Sequence, residues 1–255
     1  GATAMMDCGG GVPGGGAEVA EDTILPLLAR RGIERLDLLA LSHWDADHCN
    51  ALPYTLARTG VDLLLLPPEA PHAPPPGWLD GVAAARRAPA QPGARVRLAE
   101  GVEIEVLAPR RPLFGGGEDA ANANSVVLRV RYGAVRVLLT GDLDARGMRR
   151  LVRDARRQGR SLAADVLVLP HHGRHLERAG ELLDAVRPAW AVASCDRRAE
   201  DYLSAAALAD LHRRGVRLLR TDEAGTITFV TDGETLRVRT ARGELAAGTL
   251  VAAAR

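Results

Sequence analysis

The chain has 255 residues, with 33 basic against 32 acidic side chains and a formal net charge of +1. Hydrophobic residues at 47% and charged residues at 25% describe a packed globular chain and exclude a disordered or collagen-like one. The balanced charge also argues against strong nonspecific attraction to nucleic acid, leaving only a local patch.

Every basic residue is Arg, a bias that carries no functional weight. No apolar run reaches the roughly 18 to 20 residues that a membrane-spanning helix needs, because Arg, Asp, Glu or Pro interrupts each candidate. The opening residues Gly1 to Gly16 lack the basic start and apolar run of a signal peptide and read as though cut from inside a longer chain. Cys8, Cys49 and Cys195 are odd in number and widely spaced, which indicates neither a disulfide framework nor a thiolate zinc knuckle.

Short apolar runs alternate with helical patterns, which predicts an α/β class. Ala2 to Asp7 reads as a strand ending in a glycine-rich turn, and Glu18 to Arg31 as a helix closed by Gly32. Leu36 to Leu41 is a buried strand running into Ser42-His43-Trp44-Asp45-Ala46-Asp47-His48. Ala51 to Arg58 is helical, and Val61 to Leu66 is a strand. The Pro- and Ala-rich stretch from Pro67 to Pro92, which contains His72, reads as a surface excursion with a short helix around Leu79 to Arg87. Strands follow at Arg95 to Leu98 and Val102 to Leu107, then a Gly-rich loop at Gly115 to Gly117. A hairpin pairs Val126 to Tyr132 with Val135 to Leu139 about Gly133, and Thr140-Gly141-Asp142 ends it. A basic amphipathic helix, Ala145 to Gln158, precedes strand Val166 to Leu169, which delivers Pro170-His171-His172-Gly173. Helix Leu176 to Val186, strand Trp190 to Ala193 and helix Tyr202 to Arg213 come next. Strands Val216 to Leu219, Thr226 to Val230 and Leu236 to Arg239 complete a β-rich end.

Three acid-or-histidine clusters sit at the C-terminal ends of predicted strands, where open α/β sheets place ligand sites. The first packs four candidate ligands, His43, Asp45, Asp47 and His48, into six residues. The second is Asp142, aimed outward by the tight turn that Gly141 permits. The third is His171-His172. Each alone has an ordinary reading: Asp142 as a turn residue, Asp45 or Asp47 as a helix cap, the His pair as solvated. Five of the seven histidines nevertheless fall at 43, 48, 171, 172 and 175, while His212 lies at a basic helix end. Imidazole and carboxylate without thiolate suit Zn, Mn or Fe. Trp44, inside the first cluster, reads equally as core packing or as a substrate wall.

His-X-Asp-X-Asp-His, then Thr-Gly-Asp, then Pro-His-His-Gly resembles the metallo-β-lactamase superfamily along the whole chain. More narrowly, Met6 to Gly9, Leu41 to His48, Asn122-Ala123-Asn124-Ser125, Leu139 to Leu143, Leu169 to Gly173 and Arg220 to Gly225 resemble the soluble domain of ComEC-type DNA-uptake channel proteins. The resemblance implies a single four-layer αββα sandwich over residues 1–255, with a first strand upstream and a membrane-embedded parent protein from which the domain is excised. It implies two divalent metal ions: Asp47, His48 and one of His171 and His172 on one, His43 and Asp45 on the other, with Asp142 bridging. Asp7, and Asn124 with Ser125, would support the ligands from outside. Asp45 stands where zinc relatives usually have His, and Asn124-Ser125 near another such position, so the donor set is harder and Mn²⁺ is expected ahead of Zn²⁺. Gly173-Arg174 departs from the usual Gly-Ser of that group.

The implied activity is hydrolysis of DNA phosphodiester bonds through Asp47, Asp142, His171 and His172, degrading the non-transported strand during bacterial DNA uptake. The partners are DNA and the transmembrane channel domain of the same parent chain, on the outer face of the inner membrane. Arg150, Arg153 and Arg157 on the basic helix, with Arg174, are candidate phosphate contacts, although a solvated helix face is the simpler reading of such a run. Aromatic residues at 3% argue against extensive base stacking. The same scaffold also suits another phosphodiester or phosphorylcholine ester, a lactam or thioester, or a DNA-guiding module without turnover.

Overall fold

The computed structural model describes residues 1–11, 14–68, 74–116, 120–196 and 203–244. His72, Tyr202 and Gly117 lie outside the described residues. The first sheet holds β1 (Ala4–Met6), β2 (Arg35–Ala40), β3 (Gly60–Leu66) and β4 (Arg87–Pro89) in that order, all parallel. Parallel neighbours need crossovers. The first is one continuous helical stretch, α1 (Gly16–Glu18), a π-helical Val19–Ile24 and α2 (Leu25–Arg30); the second carries α3 (Ala46–Cys49) and α4 (Leu52–Leu56).

The second sheet runs β11-β10-β9-β8-β7-β6-β5, from β5 (Arg95–Ala99), β6 (Val102–Ala108), β7 (Val127–Tyr132), β8 (Val135–Leu139), β9 (Val166–Val168), β10 (Trp190–Ala193) and β11 (Arg217–Arg220). Its first half is antiparallel, with β7 and β8 joined at the Gly133 turn as the hairpin pattern predicts; from β8 onward it is parallel. The crossovers are α6 (Ala145–Arg157), α7 (Gly180–Val186) and α8 (Ala205–Arg213), while α5 (Ala120–Ala123) precedes β7 and α9 (Thr221–Ala224) follows β11. A third sheet, β12 (Ile227–Thr231), β13 (Leu236–Thr240) and β14 (Gly243–Glu244), is an antiparallel meander.

Alternating side chains of each strand separate the layers. Leu38, Ala40 and Leu65 of the first sheet meet Ile104, Val106 and Leu128 of the second. Leu36, Leu39 and Leu64 face the helices of the first half, and Val127, Leu138, Leu167 and Ala191 face α6 to α8. This is the four-layer αββα sandwich, with one addition. Beyond β8 the inner face of the second sheet, carrying Val166, Trp190 and Val192, is covered by Leu236 and Val238 of the third sheet. Fully buried leucines such as Leu138 and Leu167 each contribute about 1.5–3 kcal/mol of burial free energy.

Two predicted elements change. The helix expected around Leu79 to Arg87 is a series of turns ending in a short 3₁₀ segment, Ala84–Arg86, and strand β4. The Arg87 guanidinium donates to the Val82 and Leu79 carbonyls at 2.8 and 2.6 Å, satisfying acceptors that a helix would have used internally. The helix expected over Leu176 to Val186 is split into a 3₁₀ turn, Leu176–Arg178, and α7. Elsewhere amphipathic periodicity holds: α6 buries Met148, Leu151, Val152 and Ala155 and is capped by Asp144, whose carboxylate accepts from the Arg146 and Gly147 amides.

Candidate metal centre

Three loops meet at the edge where the two main sheets end, and backbone contacts draw them together. Ser42, just after β2, accepts at its carbonyl from the Val126 amide of the second sheet at 2.8 Å, and the His171 amide donates to the Gly141 carbonyl at 3.1 Å. Gly141 sits at φ 51°, and a Cβ there would lie 2.6 Å from the Ser42 Cβ. Glycine is therefore required for β8 to end against the β2 loop. On the other flank the segment after β1 threads beneath α3. The Cys8 amide donates to the His48 carbonyl at 2.7 Å, and a Cβ on Gly9 would strike the backbone of residues 47–49.

Asp47, His48, Asp142 and His172 converge, each offering one ligand atom within 4.8 Å of the others. The Nε2 of His48 lies 3.1 Å from Asp142 and 3.8 Å from Asp47. The Nε2 of His172 lies 3.6 Å from each of these carboxylates. The His43 ring packs against that of His48, tilted by 47° with centroids 4.2 Å apart, and places Nε2 3.5 Å from Asp45. His171 stands at the margin, 3.8 Å from Asp142. Of the two histidines that the sequence leaves undecided, the geometry brings His172 into the group of four.

The outer ring nitrogens determine the tautomers. Asp7 receives the Ser42 amide at 2.7 Å, the Ser42 hydroxyl at 2.9 Å and the His48 Nδ1–H at 2.8 Å. A carboxylate only accepts, so His48 carries its proton on Nδ1. The Ser194 carbonyl does the same for His172 at 2.8 Å. Because the Ser42 hydroxyl donates to Asp7, it is left to accept from His43 Nδ1 at 2.9 Å. All three Nε2 lone pairs thus face carboxylates, and the Nε2 atoms of His43 and His48 are buried without a hydrogen-bond partner among the described residues. Lone pairs turned toward anions need a cation between them, and the outer partners are of the kind that orients metal-binding imidazoles. The donor set therefore fits divalent metal ions.

The electrostatics show the same demand for positive charge at Nε2, which a proton meets in place of a metal ion. Burial disfavours the His48 imidazolium, but Asp142 and Asp7, one at each ring nitrogen, outweigh it and push His48 up to about 11. The neighbouring His172 and His48 rings hold Asp47 far below the usual carboxylate range. Burial would raise Asp142, yet contact with His48 and the charges of His172 and His43 leave it lowered. His171 is lowered, chiefly by burial. Asp7, His171 and His172 all hold left-handed backbone, at φ 65°, 50° and 58°, strain of the kind that tertiary contacts sustain at functional sites.

Other expected residues fall elsewhere. Asn124 does not support the cluster: its amide exchanges hydrogen bonds with the Phe114 backbone and donates to the Ala120 carbonyl at 2.8 Å, pinning a loop that sequence alone could not pair with it. Ser125 is fully buried beside Gly141, its hydroxyl without a partner among the described residues. Trp44 packs against the core of the first half, favouring its packing role. Arg150 donates to the Pro112 carbonyl at 2.5 Å and lies over the Phe114 ring at 4.9 Å, a structural engagement. Arg153, Arg157 and Arg174 are exposed. The thiols are spent inside: Cys8 donates to the Thr55 hydroxyl and Cys49 to the Asp45 carbonyl, both at 3.2 Å. Sequence reasoning missed Ser42, although its place directly before His43 in a strand-end motif was visible. It also missed the Ser194 carbonyl, for which a backbone acceptor leaves no residue-type signal.

A sequence profile described as the metallo-beta-lactamase superfamily matches residues 1–194, and the chain belongs to that superfamily. More particularly, it is similar to the competence protein ComA of Neisseria gonorrhoeae, 34% identical over 220 residues, and to ComE operon protein 3 of Bacillus subtilis, 28% identical over 217 residues. These matches take in 84% and 83% of the chain but only 28% and 26% of the relatives, so the chain spans a minor part of their length. Among solved structures it resembles a metal-dependent hydrolase of the β-lactamase superfamily at TM-score 0.52 and 14% identity over 84% of each chain. It also resembles CmlA, a diiron β-hydroxylase from Streptomyces venezuelae, at TM-score 0.50 and 15% identity over 73% of this chain and 44% of that one. At such identities the likeness shows the fold alone. No helix among the described residues is long and apolar enough to cross a membrane.

Proposed function

We propose that the chain is a divalent-metal-dependent nuclease that hydrolyses DNA phosphodiester bonds, degrading the non-transported strand during bacterial DNA uptake. The observation that carries this is the set of three imidazoles whose outer nitrogens are locked, so that every Nε2 lone pair meets a carboxylate. Asp47, His48, Asp142 and His172 would hold one ion, and His43 and Asp45 with Asp142 a second. When bound, two divalent ions supply Lewis acidity and neutralise charge on a phosphodiester. Three carboxylates against three imidazoles, with no thiolate, make a hard donor set that favours Mn²⁺ over Zn²⁺.

The chain's own residues do the rest. Asp7 and the Ser194 carbonyl fix the His48 and His172 rings. Asp47 stays ionised through the neutral range, and His171, kept neutral by burial, offers a ring N–H to a phosphoryl oxygen. Similarity to competence proteins supports DNA as the substrate. It also supports a transmembrane channel domain of the same parent chain as partner, with this domain on the outer face of the inner membrane.

The test is cleavage of end-labelled single- and double-stranded DNA in Mn²⁺, Mg²⁺ and Zn²⁺, beside metal content by mass spectrometry. Activity greatest in Mn²⁺ and abolished in Asp47→Ala and His172→Ala is expected. Intact DNA with every ion, from protein that holds two equivalents of metal, would refute the nuclease reading.

A further inference from the structure

Beside the cluster lies a cavity of ≈ 300 Å³ that the site residues do not account for. His171 forms the partition: its Nε2 is 3.8 Å from Asp142 on one side, and the residue lines the cavity on the other, with Asn122, Arg146, Arg149, Arg174 and Arg178. Four arginines face one carboxylate, Asp144. That carboxylate is already committed, accepting from the Arg146 and Gly147 amides and from Arg146 Nε at 2.8 Å. Arg149 and Arg178 are exposed and make no side-chain ion pair among the described residues. Asn122 closes the inner wall of the cavity and is only 7% exposed.

We propose that this cavity is a phosphate subsite holding the phosphodiester adjacent to the one cleaved, with Arg149 and Arg178 on its oxygens. Guanidinium forks suit phosphate oxygens in pairs, and a single imidazole separates this position from the metal cluster, so the next phosphate of a bound strand falls here. The strand then runs over the first turns of α6. Its contact arginines are 149 and 178, whereas Arg150 is held over the Phe114 ring and by the Pro112 carbonyl. The inference rests on the reading of the site as a DNA phosphodiester hydrolase.

Binding of a fluorescein-labelled 12-nucleotide single-stranded DNA is measured by anisotropy across a salt series in EDTA, so that no cleavage intervenes. Arg149→Ala/Arg178→Ala is expected to bind roughly tenfold more weakly at about 0.1 M salt and to flatten the log–log salt slope by about 1.4, at about 0.7 per lost contact. Asn122→Asp, which adds a negative charge without changing volume, should also weaken binding while circular dichroism shows native folding. The charge-matched Arg213→Ala/Arg237→Ala on α8 and β13 should bind as the parent does. Parental affinity and slope in the Arg149/Arg178 variant would overturn the subsite, as would an equal loss in the α8/β13 control. Hydrolysis is scored separately with bis(p-nitrophenyl) phosphate. A protein that binds through Arg149 and Arg178 but hydrolyses no diester refutes the nuclease reading and retains the phosphate site.

Discussion

Replacing Asp7 by Asn tests the central geometry with a change of one atom. The Oδ2 of Asp7 accepts from both His48 Nδ1 and the Ser42 hydroxyl, at 2.8 and 2.9 Å, while Oδ1 accepts the Ser42 amide at 2.7 Å. In the Asp7→Asn variant the atom that keeps the Ser42 amide must be the oxygen, so the new NH₂ group faces His48 Nδ1–H, donor to donor. The ring relieves this by moving its proton to Nε2, which removes the lone pair directed at Asp142 and Asp47. Losses of this kind typically weaken metal binding 10- to 100-fold, or about 1.4–2.8 kcal/mol. Mn²⁺ titration followed by electron paramagnetic resonance or calorimetry should show that drop. In the metal-free variant the His48 pKa should fall from about 11 because one of the two supporting carboxylates is gone, and nitrogen-detected NMR above that pKa should show the neutral ring protonated on Nε2. Parental Mn²⁺ affinity with an unchanged His48 tautomer would refute the reasoning.

Other outcomes follow from single features. Gly141→Ala forces a Cβ into left-handed backbone 2.6 Å from Ser42 and should cost about 1–3 kcal/mol, lowering Tm by about 2–4 °C per kcal/mol in a chain of this size; an unchanged melting curve would contradict it. Burial pushes the Cys8 thiol up to about 11 and the Cys49 thiol up to about 12. Iodoacetamide at pH 8 should therefore leave both unmodified in native protein, with Cys195 reacting first, as peptide mapping would show. Asp232 accepts from the Thr235 and Glu234 amides and the Thr235 hydroxyl, which hold its carboxyl at about 2. A depressed carboxylate stabilises the fold above its unfolded pKa of about 3.9. That contribution is lost as pH falls through about 2, so the carboxyl carbon resonance of Asp232 should titrate there and not near 4.

The superfamily was legible because its signals are local. Apolar runs ending in His43-Trp44-Asp45-Ala46-Asp47-His48, in Gly141-Asp142 and in His171-His172 place donors at strand ends, and the strand ends of the two packed sheets meet at one edge. Period-two and period-3.6 patterns likewise located most strands and helices, including the hairpin about Gly133. The helix expected near Leu79 failed because Arg87, reaching back to two carbonyls, overrode the weak preference of an alanine-rich stretch.

What tertiary structure alone decided are the relations between segments far apart in the chain. Whether His171 or His172 joins Asp47, His48 and Asp142 depends on two successive left-handed residues held by the Gly141 carbonyl and the Ser194 carbonyl, and no residue type announces either acceptor. Asn124 and Arg150 looked like site and substrate residues but are spent on the Phe114 loop, while Arg149, one position away on the same helix, faces the cavity. On a helix one residue is a rotation of about 100°. Composition and spacing therefore name the chemistry available to this chain, and the packing of its three loops selects which side chains are in position to perform it.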